Sequence, residues 1–210
     1  MIAVVDYGMG NLRSAQKGLE KAGYAAEVTD DPARILDAAG VVLPGVGAFK
    51  DCFDGLRNLG LVEPVKEAAA SGRPFLGICV GMQLMFESSE EGGATEGLGI
   101  FPGRVVRFPD GRVTGLKVPH MGWNRLKRRA GAADPLLAGL SADAAVYFVH
   151  SYYPDPEDER IVLAEAEHGV TFAAACGRGN VFGVQFHPEK SQREGLEILR
   201  AFGALTERDS

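Results

Sequence analysis

Short hydrophobic runs alternate with amphipathic stretches through the first half of the chain. Strands are predicted at Ile2–Val5, 24–29, 41–43 and Phe75–Cys79, because each run is short and mostly apolar. Helical periodicity is predicted at 32–38, 48–59 and 61–71, and in a helix after Gly10 that has Leu12, Ala15, Leu19 and Ala22 on one face. Apolar strands joined by helices are typical of a parallel sheet that is covered on both faces.

The second half of the chain has a different pattern. Strands predicted at 145–149, 161–167, 171–176 and 181–186 have short connections, and residues 194–205 form a last amphipathic helix. A hairpin is predicted for 104–108 and 112–118 around Pro-Asp-Gly, and the polar segment 87–97 is predicted to be a solvated loop. We therefore expect one α/β domain over 1–210: an open, mostly parallel central sheet with helices on both faces and some antiparallel strands in the C-terminal half.

Composition and charge restrict the function. The net charge of −6 disfavours binding to nucleic acid or to an anionic membrane surface. No segment has the length and composition of a spanning helix or of a secretory signal. The three cysteines are far apart and form no Cys-x-x-Cys pair, which argues against a disulfide framework and a zinc site and favours a reducing cytoplasm.

The most informative local motif is Gly-Ile-Cys-Val-Gly at 77–81. An apolar strand precedes it and a helical pattern follows, which predicts a nucleophile elbow with Cys79 at the bend. We interpret the two glycines as neighbours that leave the sulfur accessible and let backbone N–H groups face a substrate. The N-terminus of the following helix favours the thiolate. Alternatively, Cys79 is a small buried hydrophobic residue, as we expect for Cys52 and Cys176.

A general base is expected from the segment 184–189. If this segment is extended, Gln185, His187 and Glu189 lie on one face, and Pro188 keeps the preceding residue away from helical angles. His187 can then take the thiol proton while Glu189 orients the imidazole, which gives a triad of nucleophile, base and carboxylate. The remaining histidines have no such neighbour and no metal-ligand spacing, so no metal is expected at residues 120, 150 and 168.

A second glycine-containing loop follows the strand predicted at 41–43. Loops after neighbouring parallel strands meet at the carboxyl edge of a sheet, so the N–H groups of Val46 or Gly47 and of Val80 are candidate oxyanion donors. By itself, Pro-Gly-x-Gly indicates only a turn. The Gly-x-Gly at 8–10 lacks the third glycine of a dinucleotide fingerprint, because Arg13 occupies that position, and no cofactor is expected.

Residues 77–83 and the His-Pro-Glu of 187–189 together resemble the class I glutamine amidotransferase family. Further stretches resemble its branch of glutaminase subunits of imidazole glycerol phosphate synthase, which acts in histidine biosynthesis: 6–12, 44–49, 119–124, 148–152 and 185–191. The resemblance implies that Cys79 attacks the side-chain amide of glutamine to give a γ-glutamyl thioester and ammonia, with His187 moving protons and Glu189 holding its ring. It also implies a set of glutamine-binding groups, Gly47, Gln83 and the backbone around Ser151 and Tyr152.

The resemblance also implies a partner. Ammonia in neutral water is mostly ammonium, which has no lone pair, so the ammonia must reach its acceptor through protein. In this branch the acceptor site lies in a cyclase subunit, a (β/α)₈ barrel that forms imidazole glycerol phosphate, and a heterodimer is expected. The residues that the resemblance places at the cyclase are Asn11, Trp123, Asn124, Tyr147 and Lys190. Without the resemblance, core packing explains the tryptophan equally well and a solvated charge explains the lysine.

The loop at 44–47 suggests one further hypothesis. Glycine loops change conformation easily, so the isolated chain is expected to be a poor glutaminase, and a partner that fixes the loop raises the rate. Two other function classes stay open at this point: a non-catalytic docking module, and a stand-alone cysteine hydrolase of another γ-glutamyl compound.

Overall fold

The computed structural model describes residues 1–111, 115–129 and 134–207, which form three sheets with flanking helices. The strands are β1 (Ile2–Val5), β2 (Ala26–Thr29), β3 (Gly40–Gly45), β4 (Phe75–Cys79), β5 (Phe86–Ser89), β6 (Thr95–Glu96), β7 (Phe101–Arg107), β8 (His120–Arg125), β9 (Lys127–Arg128), β10 (Ala145–His150), β11 (Tyr152–Pro156), β12 (Val162–Glu167), β13 (Thr171–Arg178) and β14 (Val181–Val184). The helices are α1 (Leu12–Ala22), α2 (Pro32–Asp37), α3 (Phe49–Asn58), α4 (Val62–Ala70), α5 (Val80–Leu84) and α6 (Gln192–Leu205).

The large sheet has eight strands in the order β2-β1-β3-β4-β14-β13-β12-β9. The first five are parallel, and the pairings from β14 through β13 and β12 to β9 are antiparallel. The predicted fold class, a mostly parallel sheet with antiparallel strands from the C-terminal half, is confirmed. The structure also confirms the predicted bounds of β1 and β4, both of which are buried at every position.

Helices cover both faces of the sheet and bury its side chains. Helix α1 packs against α6, and α2 packs against α4. Large side chains that are fully buried between the layers include Phe49, Phe75, Phe182, Phe186 and Phe202. Among the described residues, no helix combines the length and the apolar character that crossing a membrane requires.

Two smaller sheets depart from the prediction. One pairs β10 with β8, and the other has the order β11-β7-β5-β6. The segment 87–97 is therefore not wholly a loop: it contributes to β5 and contains β6. The predicted hairpin is wrong, because β7 pairs with β11 and β5 and residues 115–118 form no strand. Positions 112–114 of that hairpin lie outside the described residues.

The backbone after β4 lies unusually close to β3. Gly81, in the first turn of α5, is so near this strand that a Cβ atom would overlap the carbonyl oxygen of Leu43. A Cβ at Gly45, the last residue of β3, would in turn lie 2.6 Å from the Gly81 nitrogen and 2.9 Å from the Val80 Cβ. Glycine is required at both positions because only hydrogen atoms fit between the two segments.

Replacing Gly81 with alanine is expected to lower the free energy of unfolding by at least about 3 kcal/mol, since β3 backbone atoms must move to admit the methyl group. Gly139→Ala is the control, because a Cβ there meets nothing within 4 Å among the described residues. Urea denaturation of both variants measures the difference. Equal stability of the two variants would contradict the close approach.

Candidate active site

Cys79 lies at the sharp bend between β4 and α5. Its backbone angles are φ 55° and ψ −113°, a region that residues with a side chain rarely adopt, and the residue is 3% exposed. The predicted elbow is thus present. The interpretation of its glycines changes, however: Gly81 lets the elbow approach β3, and a Cβ at Gly77 would meet Gly81 O at 2.8 Å. The two glycines are needed for packing around the bend.

His187 approaches Cys79 from the neighbouring strand. β14 pairs with β4, and the chain continues beyond Val184 to His187, whose Nδ1 lies 2.8 Å from Glu189 Oε1. Both side chains are almost completely buried, at 2% and 3% exposure. Their second polar atoms, His187 Nε2 and Glu189 Oε2, have no hydrogen-bond partner within the described part of the chain. The imidazole therefore has one nitrogen held by a carboxylate and one nitrogen available for proton transfer.

The segment that carries this pair is not extended as predicted. After His187, residues Pro188–Lys190 form a 3₁₀ turn that is closed by hydrogen bonds from Lys190 N to His187 O and from Ser191 N to Pro188 O. Proline suits the first position of such a turn, because its N–H group is not needed there. The turn brings the Glu189 carboxylate to His187, so the predicted contact forms through a 3₁₀ turn and not through an extended strand.

Electrostatics favour the charged form of His187 despite its burial. Burial alone lowers the pKa of this imidazole, but the adjacent Cys79 sulfur and the Glu189 carboxylate together outweigh it and raise the pKa to about 9. At neutral pH the ring is therefore protonated. A protonated imidazole beside a cysteine is ready to donate its proton to a leaving group.

A cavity of about 580 Å³ opens at this point, on the carboxyl edge of the parallel strands. The structure brings all of the predicted substrate and oxyanion residues to its wall together with Cys79 and His187: Val46, Gly47, Val80, Gln83, Ser151 and Tyr152. The cavity is large enough for a small molecule and has polar groups from several elements. The segments of Cys79, of His187 and of the loop at 44–47 therefore meet at one cavity, together with the segments that the resemblance added.

Two buried side chains hold carbonyl groups of the loop at 44–47. The Tyr7 hydroxyl donates to Pro44 O at 2.6 Å, and the Cys52 thiol donates to Val46 O at 3.3 Å. Gly47 has φ +92°, a left-handed conformation that favours glycine. Cys52 is buried, as is Cys176, which confirms the prediction that neither is exposed. The loop is thus fixed on both sides of the Gly45–Val46 peptide.

Sequence reasoning missed two polar side chains of this site. Gln185 is fully buried, and its Nε2 donates to Cys79 Sγ at 3.7 Å. Glu91 lines the cavity and its Oε2 accepts a hydrogen bond from Phe49 N at 2.7 Å. The alternation around His187 had placed Gln185 on the correct face without a role. No signal in the sequence distinguished Glu91 from the other acidic residues of its segment.

Two of the five residues predicted to face a partner lie at the cavity. Asn11 and Lys190 line it. Trp123 on β8 is 49% exposed and stands opposite Tyr147 on β10, with the two rings 6.1 Å apart, so core packing does not explain the tryptophan. Asn124 instead points its amide inward and donates to Glu167 O at 2.8 Å.

Comparisons with known proteins identify the family. The family model described as glutamine amidotransferase class-I matches residues 3–204. The imidazole glycerol phosphate synthase subunit HisH of Syntrophotalea carbinolica is 59% identical over 98% of this chain and 100% of its own length. The subunit of the same name from Geobacter sulfurreducens is 54% identical, and the match covers 97% of this chain and 98% of the relative.

Solved structures that are more distant in sequence share the fold. A crystal structure of glutamine amidotransferase superimposes with a TM-score of 0.71 at 18% identity, covering 99% of this chain and 100% of the other. The structure of PurLQS from Thermotoga maritima gives a TM-score of 0.73 at 19% identity and covers 96% of both chains. The architecture is therefore kept where few residues are shared.

The imidazole of His187 is expected to titrate near pH 9 in the wild-type chain. In Cys79→Ala it is expected to titrate at least about one pH unit lower, because the sulfur that offsets the effect of burial is gone. NMR of the ring carbons and nitrogens measures both values. Cys176→Ala is the control, since this buried cysteine does not act on His187. An unchanged titration in Cys79→Ala would contradict the assigned interaction.

Proposed function

This chain belongs to the class I glutamine amidotransferase family, and we propose that it is the glutaminase subunit of an imidazole glycerol phosphate synthase in histidine biosynthesis. The observation that carries the proposal is the buried arrangement of Cys79, His187 and Glu189 at a cavity on the carboxyl edge of the sheet. The full-length similarity to HisH subunits supports the choice of branch within the family.

The geometry supports the following bond changes. The Cys79 sulfur bonds to the side-chain amide carbon of glutamine, and the carbon–nitrogen bond breaks as His187 gives its proton to the nitrogen, which leaves as ammonia. Water then attacks the thioester, His187 accepts the proton of that water, and the carbon–sulfur bond breaks to release glutamate and restore the thiolate. The proton that His187 gives to the nitrogen comes from the Cys79 thiol, so transfer from the sulfur to the imidazole precedes the departure of ammonia.

Developing charge on the amide oxygen requires donors that are fixed in advance. We assign this role to the backbone N–H groups of Val80 and of Val46 or Gly47, which lie on the cavity wall beside Cys79. The hydrogen bonds from Tyr7 and Cys52 to the loop carbonyls limit the rotation of the neighbouring peptides. The Gly45–Val46 peptide lies between these two anchors.

Glutamine is a zwitterion, so its binding site needs a partner for the α-ammonium group. We assign Glu91 to that group, because its carboxylate lines the cavity on the side of the loop at 44–47 and is fixed by the Phe49 N–H. Gln83 and the backbone of Ser151 and Tyr152 complete the glutamine site. No cofactor takes part in these steps.

The rim of the cavity is where we place the cyclase partner. Met121 and Trp123 are 63% and 49% exposed and project from the same face of β8, next to the cavity mouth. Exposed aromatic and methionine side chains of this kind are enriched in protein interfaces. Asn11, Tyr147 and Lys190 border the same surface. A barrel cyclase that docks here as a heterodimer would cover the cavity and receive ammonia without its release to water.

The three cysteines of the chain are free and buried. This agrees with a reducing compartment, and we place the complex in the cytoplasm. Neither nucleic acid nor a membrane is part of the proposal.

Together with the cyclase, the chain is expected to hydrolyse glutamine, and Cys79→Ala is expected to lower the rate by at least about 10³-fold, because no other group can form the thioester. Release of glutamate, and mass spectrometry of Cys79 after reaction with an electrophilic glutamine analogue, measure this. Cys176→Ala is the matched control. A non-catalytic docking module would show neither glutamate release nor labelling. Full activity of the purified chain without any cyclase would contradict the loop hypothesis.

Trp123→Ala is expected to weaken cyclase binding by about 2 kcal/mol, roughly 30-fold in Kd, as for a central aromatic interface residue. Leu59→Ala is the control, because Leu59 is also 49% exposed but follows the C-terminal end of α3, on the opposite edge of the sheet. Titration calorimetry measures both affinities. If the two variants bind equally well, the partner docks elsewhere.

A further inference from the structure

A line of buried polar groups joins β8 to the nucleophile. His120 on β8 and His150 on β10 stand directly opposite each other in the strand register and are 5% and 6% exposed. His120 Nδ1 lies 3.1 Å from His150 Nε2, and His150 Nδ1 lies 2.8 Å from Tyr152 O. At the other end, His120 Nε2 lies 3.2 Å from the amide nitrogen of Asn124.

The Asn124 end fixes the direction of these hydrogen bonds. The side-chain oxygen of Asn124 accepts from Arg125 N at 2.8 Å, and its nitrogen donates to Glu167 O at 2.8 Å. The amide orientation is therefore set, and its nitrogen can only donate to His120 Nε2. His120 must then carry its proton on Nδ1, which it donates to His150 Nε2.

The opposite end requires the same direction independently. A carbonyl oxygen only accepts, so His150 must carry a proton on Nδ1 to bond Tyr152 O, which leaves its Nε2 as an acceptor. Both ends therefore assign the same state: His120 and His150 are neutral and protonated on Nδ1. Had the two ends disagreed, one hydrogen bond of the line would be impossible.

The line continues from Tyr152 O to the sulfur. This oxygen also accepts from Gln83 Nε2 at 2.9 Å, and the same Gln83 nitrogen donates to Gln185 Oε1 at 3.0 Å. Gln185 Nε2 then donates to Cys79 Sγ at 3.7 Å. Both N–H bonds of the Gln83 amide are used in this way, so its oxygen is the atom that it can offer to a ligand in the cavity.

We propose that His120 and His150 are positioning residues of the glutamine site, which hold the Tyr152 carbonyl and through it the orientation of the Gln83 amide. The inference rests on the proposed function, since it takes glutamine as the ligand of the cavity. Each link has one allowed donor and one allowed acceptor, so a change of tautomer or of charge at either ring breaks the line.

The surroundings favour the neutral rings that the line needs. The rings of Phe108, Phe148 and Phe172 lie 4.9–6.2 Å from one or both histidine rings, and His168 stacks on His120 at 4.2 Å. Burial, reinforced by His168, lowers the pKa of His120 to about 4. Burial also lowers the pKa of His150 to about 3. The hydrogen bond to Tyr152 O raises this pKa, whereas the other three histidines, His187 included, lower it further.

The tautomers can be tested directly in the wild-type chain. Ring ¹⁵N chemical shifts of His120 and His150 at pH 7 are expected to show a protonated Nδ1 and an unprotonated Nε2 in both residues. Variants in which one histidine at a time is replaced assign the signals. A protonated Nε2 or a charged ring in either residue overturns the proposal. This measurement needs neither a partner nor catalytic activity.

Kinetics with the cyclase present test the positioning role. His150→Phe keeps a ring but loses both hydrogen bonds, and it is expected to raise the KM for glutamine about tenfold with kcat changed less than about threefold. His150→Asn keeps a donor near the Nδ1 position and is expected to restore KM to within about threefold of wild type. His168→Phe, which alters a stacked histidine outside the line, is expected to leave KM unchanged.

The outcomes separate the two proposals. If the wild-type complex hydrolyses glutamine and His150→Phe has the same KM as wild type, the positioning role alone is overturned. An equal increase of KM in all three variants overturns the positioning role as well. A wild-type complex that does not hydrolyse glutamine overturns the proposed function, while the tautomer measurement still decides whether the line exists. If His150→Phe does not fold, the tautomers and the His150→Asn variant decide.

Discussion

The close contact between the first turn of α5 and the end of β3 fixes the position of Cys79 relative to the loop at 44–47. Because Gly81 has no side chain, its backbone packs against Leu43, and the elbow that carries Cys79 is held beside the loop at 44–47. Oxyanion donors on two separate loops can act together only if their distance is fixed to within a fraction of an ångström. Backbone against backbone is the most rigid way to fix that distance, since no rotamer intervenes.

The parallel part of the fold could be predicted from the sequence because its strands are buried on both faces. β1 and β4 are apolar and buried at every position, which is typical of parallel strands that are covered on both faces. β5 and β6 could not be predicted, because only Phe86 and Ser89 of the former are buried and its pairing with β7 depends on a distant segment. Local sequence there contains polar residues that suit a loop equally well.

The residues of the site also divide into those that the sequence could predict and those that it could not. Motif spacing predicted that Cys79, His187 and the loop at 44–47 lie together, since glycines beside a cysteine and a carboxylate beside a histidine are local features. The meeting of His120 with His150 depends on the register of β8 against β10, 30 residues apart, and nothing local encodes a register. The same pairing places Trp123 opposite Tyr147, so the exposure of the tryptophan also depends on this register and could not be predicted from the sequence.

The buried histidines of this chain show why burial alone does not decide the charge of a group. His187 and His150 are both almost inaccessible, yet the pKa of one is raised to about 9 and that of the other is lowered to about 3. The difference lies in the partners: the Cys79 sulfur and the Glu189 carboxylate offset the cost of a buried imidazolium at His187, whereas a carbonyl and a second imidazole do not at His150. The charged ring of His187 can therefore transfer a proton, while the neutral rings of His120 and His150 only keep their hydrogen bonds in one direction. A glutamine site needs both kinds of histidine. Breaking the amide bond requires a proton, and orienting a neutral amide requires hydrogen-bond donors and acceptors that do not exchange roles.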